Sequence, residues 1–269
     1  MKILPGLPLR VGCDEPFSSY KVPMSRWAPG GIRIGVLVPF TNTNLEPDVI
    51  EMCPPSCSLH FQRTGGYDPN TIPDSNQMTQ LGMFDLSHDL VMIAWARPDA
   101  ICYGCTSATL THGSSFDRDL AIRIATETGA SAFTAAGSLV AALKALDIKR
   151  VGFSSPYVGK INEKAVSFLE VSGFEVVSRA DVGRNLSCYG QGALSPEEVY
   201  ELAVKANHPK AQAIVLSCTD MRSVEVIKKI EKDLGKPVVT SNQAMMFCIY
   251  KKFKFPTQLS LPGFLFNRL

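Results

Sequence analysis

PDAICYGCTS, residues Pro98 to Ser107, is echoed by AQAIVLSCTD, residues Ala211 to Asp220. In each copy a short apolar run ends in Cys-Thr, so a thiol stands where a buried strand leaves its sheet. The two cysteines, Cys105 and Cys218, are 113 residues apart, and a second pair of segments keeps nearly the same offset. RIGVLVPFTN starts at Arg33 and RVGFSSPYV at Arg150, 117 residues further on. Two offsets this similar predict an internal duplication. The expected fold is α/β with two similar lobes, each a mainly parallel sheet flanked by helices, related by a pseudo-twofold. A pocket between the lobes would then carry one sulfur from each side.

The 269 residues suffice for two lobes with their own cores. With 45% hydrophobic and 19% charged residues the chain has a globular, enzyme-like composition. A net charge of +2 offers no field for nucleic acid or an anionic membrane, and Trp27 and Trp95 have no neighbours that suggest base stacking. No run approaches the roughly 18 apolar residues of a membrane helix, and the proline-rich N-terminus does not read as a signal peptide, so a cytoplasmic location is expected. The eight cysteines lie mostly within apolar runs, which favours free thiols over a disulfide framework. Cys102 and Cys105 form a CxxC, but no second pair or spaced histidines accompany it, and no metal is expected. Cys13, Cys188 and Cys248 sit in no motif.

Residues 1–30, rich in Pro, Gly and Ser, read as an N-terminal arm. The first lobe is expected over 31–135, the second over 136–240, with 241–269 a candidate to complete the first lobe. Ile32–Val38 has the continuous apolar character of a parallel strand covered on both faces. Helical spacing predicts one long helix over Asn76–Ala96. Ser155-Pro156 reads as a helix start, Ser195-Pro196-Glu197-Glu198 as a capping box, Asp220 as the cap of the next helix and Gly235 as its stop. The polar stretch Thr64–Asn76 is a candidate active-site loop.

In open α/β sheets ligands bind beyond the carboxyl ends of the strands. That rule brings together Pro39–Asn44, Gly104–Thr109, Ser154–Tyr157 and Ser217–Asp220. Backbone amides in such turns hold carboxylates and are expected to lower the pKa of a nearby thiol. Taken singly, Cys105 and Cys218 could be buried strand-end cysteines; their repetition with the same threonine favours a functional pair. His112 is close to Cys105 in sequence but reads as a loop residue at a helix start.

VPFTN, CYGCTS, SSPY, the loop GRN, and SCTD followed by LGKPVVTSNQA together resemble the aspartate/glutamate racemase superfamily. Within it they look most like the maleate cis–trans isomerase and arylmalonate decarboxylase branch, over roughly Gly31 to Tyr250. The resemblance implies two α/β lobes, a cleft site and no cofactor or metal. It casts Cys105 and Cys218 as catalytic, and Asn42, Thr106, Ser107, Tyr157, Asn185 and Thr219 as binding a small carboxylate. The racemases usually place an acid after the first strand, which is absent here, and the decarboxylases keep only the second cysteine. The implied activity is therefore isomerisation of a small dicarboxylate such as maleate. Amino-acid or hydroxy-acid racemase or epimerase, arylmalonate-type decarboxylase and non-catalytic carboxylate-binding relative are the alternatives. A homo-oligomer, dimer or tetramer, is expected. Phe40 departs from the small residue usual in that loop, so its ring should narrow the pocket or face an aromatic ligand.

Overall fold

A computed structural model of the chain describes residues 31–68, 71–258 and 260–269. The expected arm 1–30, with Cys13, lies outside the described residues. The first half runs β1 (Ile32–Pro39), α1 (Leu45–Glu51), β2 (Cys57–Thr64), α2 (Ser75–Gly82), α3 (Ser87–Ala94), β3 (Ala100–Tyr103), α4 (Thr106–Leu110), α5 (Ser114–Thr128) and β4 (Ser131–Thr134). After α6 (Ala135–Ala145) come β5 (Arg150–Ser154), α7 (Lys160–Val171), β6 (Glu175–Ala180), α8 (Pro196–Ala206) and β7 (Ala213–Leu216). A short 3-10 turn, Val224–Val226, leads into α9 (Ile227–Leu234), followed by β8 (Val238–Thr240) and α10 (Ser241–Phe253).

Both sheets are four-stranded and parallel, in the orders β2-β1-β3-β4 and β6-β5-β7-β8. The same order in each half is the duplication that the repeated Cys-Thr announced. The inner strands β3 and β7 are buried at every position, as continuous apolar runs require when helices cover both faces of a sheet. The edge strand β6 is half-exposed along its length. Helices α6 and α10 occupy equivalent places after β4 and β8, and they pack on each other. Each also crosses to the other sheet, α6 touching β8 and α10 touching β4, and α10 packs on α1 as well. Ser241 to Tyr250 of α10 are all buried, the signature of a helix enclosed on every side. Among the described residues no helix is long and apolar enough to cross a membrane.

Three local expectations are corrected. The predicted helix 76–96 is two helices, α2 and α3. A Cβ on Gly82 would stand 2.7 Å from Ala108 O, so α2 ends where it presses on α4. Asp85 then restarts the helix, its Oδ1 accepting from Ser87 N at 3.0 Å and Ser87 Oγ at 2.6 Å. The period survives the break because both helices bury apolar residues, Met78 and Leu81 in one, Leu90 and Ile93 in the other. Ser155-Pro156 does not open a helix; α7 begins at Lys160. Ser155 Oγ donates to Asn162 Oδ1 and accepts from Tyr157 N at 3.1 Å, closing a turn. Asp220 caps no helix and turns back toward the first lobe.

Candidate active site

The carboxyl ends of the two sheets meet at one small cavity. Cys105, Thr106, Ser107, Cys218 and Thr219 line it together with Asn42 and Tyr157. Seven of the eight residues expected at a site are therefore brought together. Asn185 is not among them: it is exposed and lines a neighbouring, larger cavity of about 450 Å³ that shares Tyr157. Pro39, Phe40, Thr41, Tyr67, Met78, Leu81, Gln191 and Asp220 complete the wall. Tyr67 comes from the polar loop picked out in the sequence, whereas nothing around Gln191 marked it.

Each thiol sits where a strand gives way to a turn. Cys105 has extended backbone just before α4, with Ser107 Oγ 3.8 Å from its sulfur. Asp220 N donates to Cys218 Sγ at 3.4 Å. A threonine clamp holds the two turns together. Thr219 Oγ1 accepts from Asn42 Nδ2 at 2.9 Å and donates to Gly104 O at 2.7 Å, one residue before Cys105. Asn42 Oδ1 accepts from Asn44 N at 3.1 Å and Leu45 N at 2.9 Å. Asn42 thus shapes the turn before α1 and still has one amide hydrogen uncommitted among the described residues. Thr106 Oγ1 donates to Ser241 Oγ at 2.9 Å. The hydroxyl protons of Thr106 and Thr219 are both spent within the protein, one on the Ser241 hydroxyl and one on the Gly104 carbonyl.

Ser107 and Tyr157 are placed differently. Their hydroxyls lie 3.2 Å apart, Ser107 Oγ also donates to Met78 Sδ at 3.1 Å, and Tyr157 Oη donates to Gln191 Oε1 at 3.2 Å. Once turned from Met78 Sδ and Gln191 Oε1, these two hydroxyls form with Asn42 Nδ2 and the Gln191 amide a neutral donor wall suited to carboxylate oxygens. Phe40 narrows the cavity, and its ring meets Tyr67 edge-on with centroids 5.1 Å apart. His112 stays outside: Nε2 lies 2.8 Å from Thr79 O and the ring stacks on Phe116. It ties the turn after α4 to α2.

Among the described residues lining the cavity Asp220 is the one acidic side chain, and none is Lys, Arg or His. Arg63 stands behind the wall, donating to Asn42 O, to Pro39 O at 3.3 Å and to Glu46 Oε2 at 2.6 Å. The expected lowering of the thiol pKa is reversed. Burial pushes Cys105 up, and the amides of Ala108 and Ser107 with the Ser107 hydroxyl pull only part of the way back. Cys218 is raised by burial and then by the neighbouring charge of Asp220. Tyr157 is held far above its usual range, chiefly by burial. At rest both sulfurs are protonated, and Cys105 has the better-supported thiolate.

The profile of the arylmalonate decarboxylase family matches residues 34–266. The chain belongs to this family. Maleate isomerase of Alcaligenes faecalis is 27% identical, covering 82% of this chain and 90% of that protein. Maleate isomerase of Nocardia farcinica is 28% identical over 86% and 93%. Arylmalonate decarboxylase of Bordetella bronchiseptica is 25% identical over a shorter stretch, 52% of this chain and 58% of that protein. Among solved structures, a Cys-to-Ser mutant of the Nocardia farcinica maleate cis–trans isomerase with a covalently bound succinylcysteine intermediate superposes with TM-score 0.79. It is 24% identical, and the match covers 88% of this chain and 99% of that one. The family's two-lobed fold is therefore the fold of this chain.

Proposed function

We propose that the protein is a cofactor-independent cis–trans isomerase of a small dicarboxylate, converting maleate to fumarate with Cys105 and Cys218. The observation that carries this reading is the delivery of two thiols, from equivalent strand ends of the two lobes, into one cavity with neutral carboxylate donors. The maleate isomerases among its relatives add support, each aligned over most of the chain. In this reading Cys105, protonated at rest, gives its proton to solvent and adds as thiolate to one alkene carbon, forming a C–S bond. The electron pair moves onto the adjacent carboxylate as an enediolate, held by Ser107, Tyr157 and Asn42. Cys218 delivers its proton to the second carbon, leaving a carbon–carbon single bond that rotates. Return of that proton to Cys218 and departure of Cys105 as thiolate give the trans alkene, and Cys105 recovers its proton from solvent, restoring both thiols.

The division of labour follows the local electrostatics. Cys105 has amides and a hydroxyl to carry a thiolate, whereas Asp220 beside Cys218 favours its protonated, donating form. Thr106 and Thr219 act as holders of the two turns, and Asn185 would reach the ligand from the adjoining cavity. The same reading gives a cytoplasmic homo-oligomer of the aspartate/glutamate racemase superfamily, its cleft lying between 31–135, completed by 241–269, and 136–240.

Incubation with maleate followed by proton NMR tests this directly. Fumarate should form without added cofactor. Cys105→Ala should abolish turnover and Cys218→Ala should slow it by about 10²–10⁴-fold, the usual value of a positioned proton donor. Full activity in either variant removes the two-thiol mechanism. The acidic Asp220 in the cavity wall favours one competing reading, a racemase or epimerase. Deuterium uptake at the α-carbon of aspartate or glutamate, with no fumarate formed from maleate, would establish it.

A further inference from the structure

Asp220 is 5% exposed, yet the described residues satisfy only one of its oxygens. Oδ1 accepts from Thr43 N at 3.0 Å, Asn44 N at 3.2 Å and Asn44 Nδ2 at 3.1 Å. No donor among the described residues reaches Oδ2. Gly192 packs against the carboxyl, since a Cβ there would stand 3.0 Å from both of its oxygens. Asp220 lines the cavity, and its buried carboxyl keeps one oxygen that no described donor reaches.

The charged and titratable surroundings are few. Cys218 and Cys105 share the cavity, with Tyr157 and Tyr67 across it. Arg63 approaches from β2, already engaged by Glu46. Asp48 lies on the buried side of α1, and Glu225 in the 3-10 turn is paired with Arg222. Burial lifts the Asp220 carboxyl to about 6, against the pull of the three donors and Arg63. A dicarboxylate bound as a dianion would press a second carboxylate on this one in a desolvated space, with no cation among the described residues of the wall to offset it. Two carboxylates in one site cannot both stay ionised cheaply.

We propose that Asp220 is the specificity-determining residue for charge: the site takes one ionised carboxylate and, facing Asp220, a group that carries a proton. A dicarboxylate then enters as its hydrogen dicarboxylate. This rests on the carboxylate-binding reading above and narrows it. Where both groups are ionised in solution, protein, dianion and one proton from the buffer combine to give the complex. The proton lies between Asp220 Oδ2 and the nearer ligand oxygen, and returns to solvent when the ligand leaves. The site thereby prefers monoanions to dianions, and a ligand amide or ammonium serves as well as an acid.

Calorimetry on the full chain carrying Cys105→Ala, which blocks turnover, tests the assignment with maleate and maleamate in two buffers of different ionisation enthalpy. Maleate should take up close to one proton per site at pH 7.5, and its affinity should fall about tenfold per pH unit above pH 7. Maleamate, whose amide brings its own hydrogens, should bind with no uptake and a flat profile. Adding Asp220→Asn should abolish the uptake and flatten the maleate profile. Maleate binding without proton uptake overturns the assignment while leaving the isomerase reading intact, as does uptake that persists in Asp220→Asn. The comparison of the two ligands needs no change at 220, so it decides even if that variant does not fold. If maleate binds at no pH, the dicarboxylate reading falls and L-aspartate decides Asp220. Binding through its ammonium keeps the role, and its absence overturns it.

Discussion

Tyr157 hangs between two partners, its hydroxyl 3.2 Å from Ser107 Oγ and 3.2 Å from Gln191 Oε1. The turn beneath it is pinned by Ser155 and Asn162, whose Nδ2 donates to Tyr157 O. Tyr157→Phe keeps this frame and removes one donor from the pocket. A hydrogen bond to a charged group is worth about 1.5–3 kcal/mol, so kcat/KM should fall roughly 10- to 100-fold. Steady-state kinetics on the maleate reaction checks this, and an unchanged kcat/KM would take Tyr157 out of the site. At this scale the thiols were legible because their motif occurs twice. Asn42 was legible in place, although much of its side chain serves a turn. Gln191 and the cavity role of Asp220 were not legible, because a polar loop residue acquires a role only from what folds against it.

Elements set how closely the two thiol turns approach. Gly104 joins β3 to Cys105; its amide donates to Leu37 O at 2.9 Å and its carbonyl accepts from Thr219. A Cβ there would run into the Leu45 side chain of α1 and stand 2.8 Å from Leu37 O. Gly104→Ala should cost about 1–3 kcal/mol through overpacking and displace Cys105, lowering both the denaturation midpoint and turnover. A variant with wild-type stability and activity would show that the turn relaxes freely. Local signals served well where their partners are local. Ser195 and Glu198 cap α8 reciprocally, and Gly235 ends α9 in the left-handed region. The Ser155-Pro156 signal misled for the opposite reason, since Asn162 takes up the Ser155 hydroxyl that would have capped a helix.

Across the whole molecule, α6 and α10 interlock the lobes, and a buried acid lies beside that contact. Asp48 of α1 accepts from Asn242 Nδ2 of α10 at 2.7 Å, and the same amide nitrogen donates to Thr219 O at 2.9 Å. Burial, only partly offset by Asn242, lifts Asp48 to about 7. A carboxyl raised on folding is most favourable when protonated. Its contribution is full below about pH 4, the unfolded value, and is lost as pH rises through 7. Asp220, raised to about 6, acts in the same direction. The melting temperature should therefore fall between pH 5 and pH 8, and Asp48→Asn should flatten that fall. Calorimetric scans over this range decide it, and an equal slope in the variant would exclude Asp48 as its source.

The duplicated Cys-Thr, the apolar strand runs and the capping signals determined two parallel α/β lobes with a thiol at an equivalent point of each. These are patterns of neighbouring residues, and strand burial and turn chemistry act on neighbours. Tertiary structure alone decided which polar groups are spent and which are free. Thr219 is consumed in clamping Gly104, Asn185 stands in the adjoining cavity, and Asp220 lines the thiol cavity with one carboxyl oxygen that no described donor reaches. Those outcomes depend on contacts between residues more than 100 positions apart, and on burial that outweighs the local amides at both sulfurs.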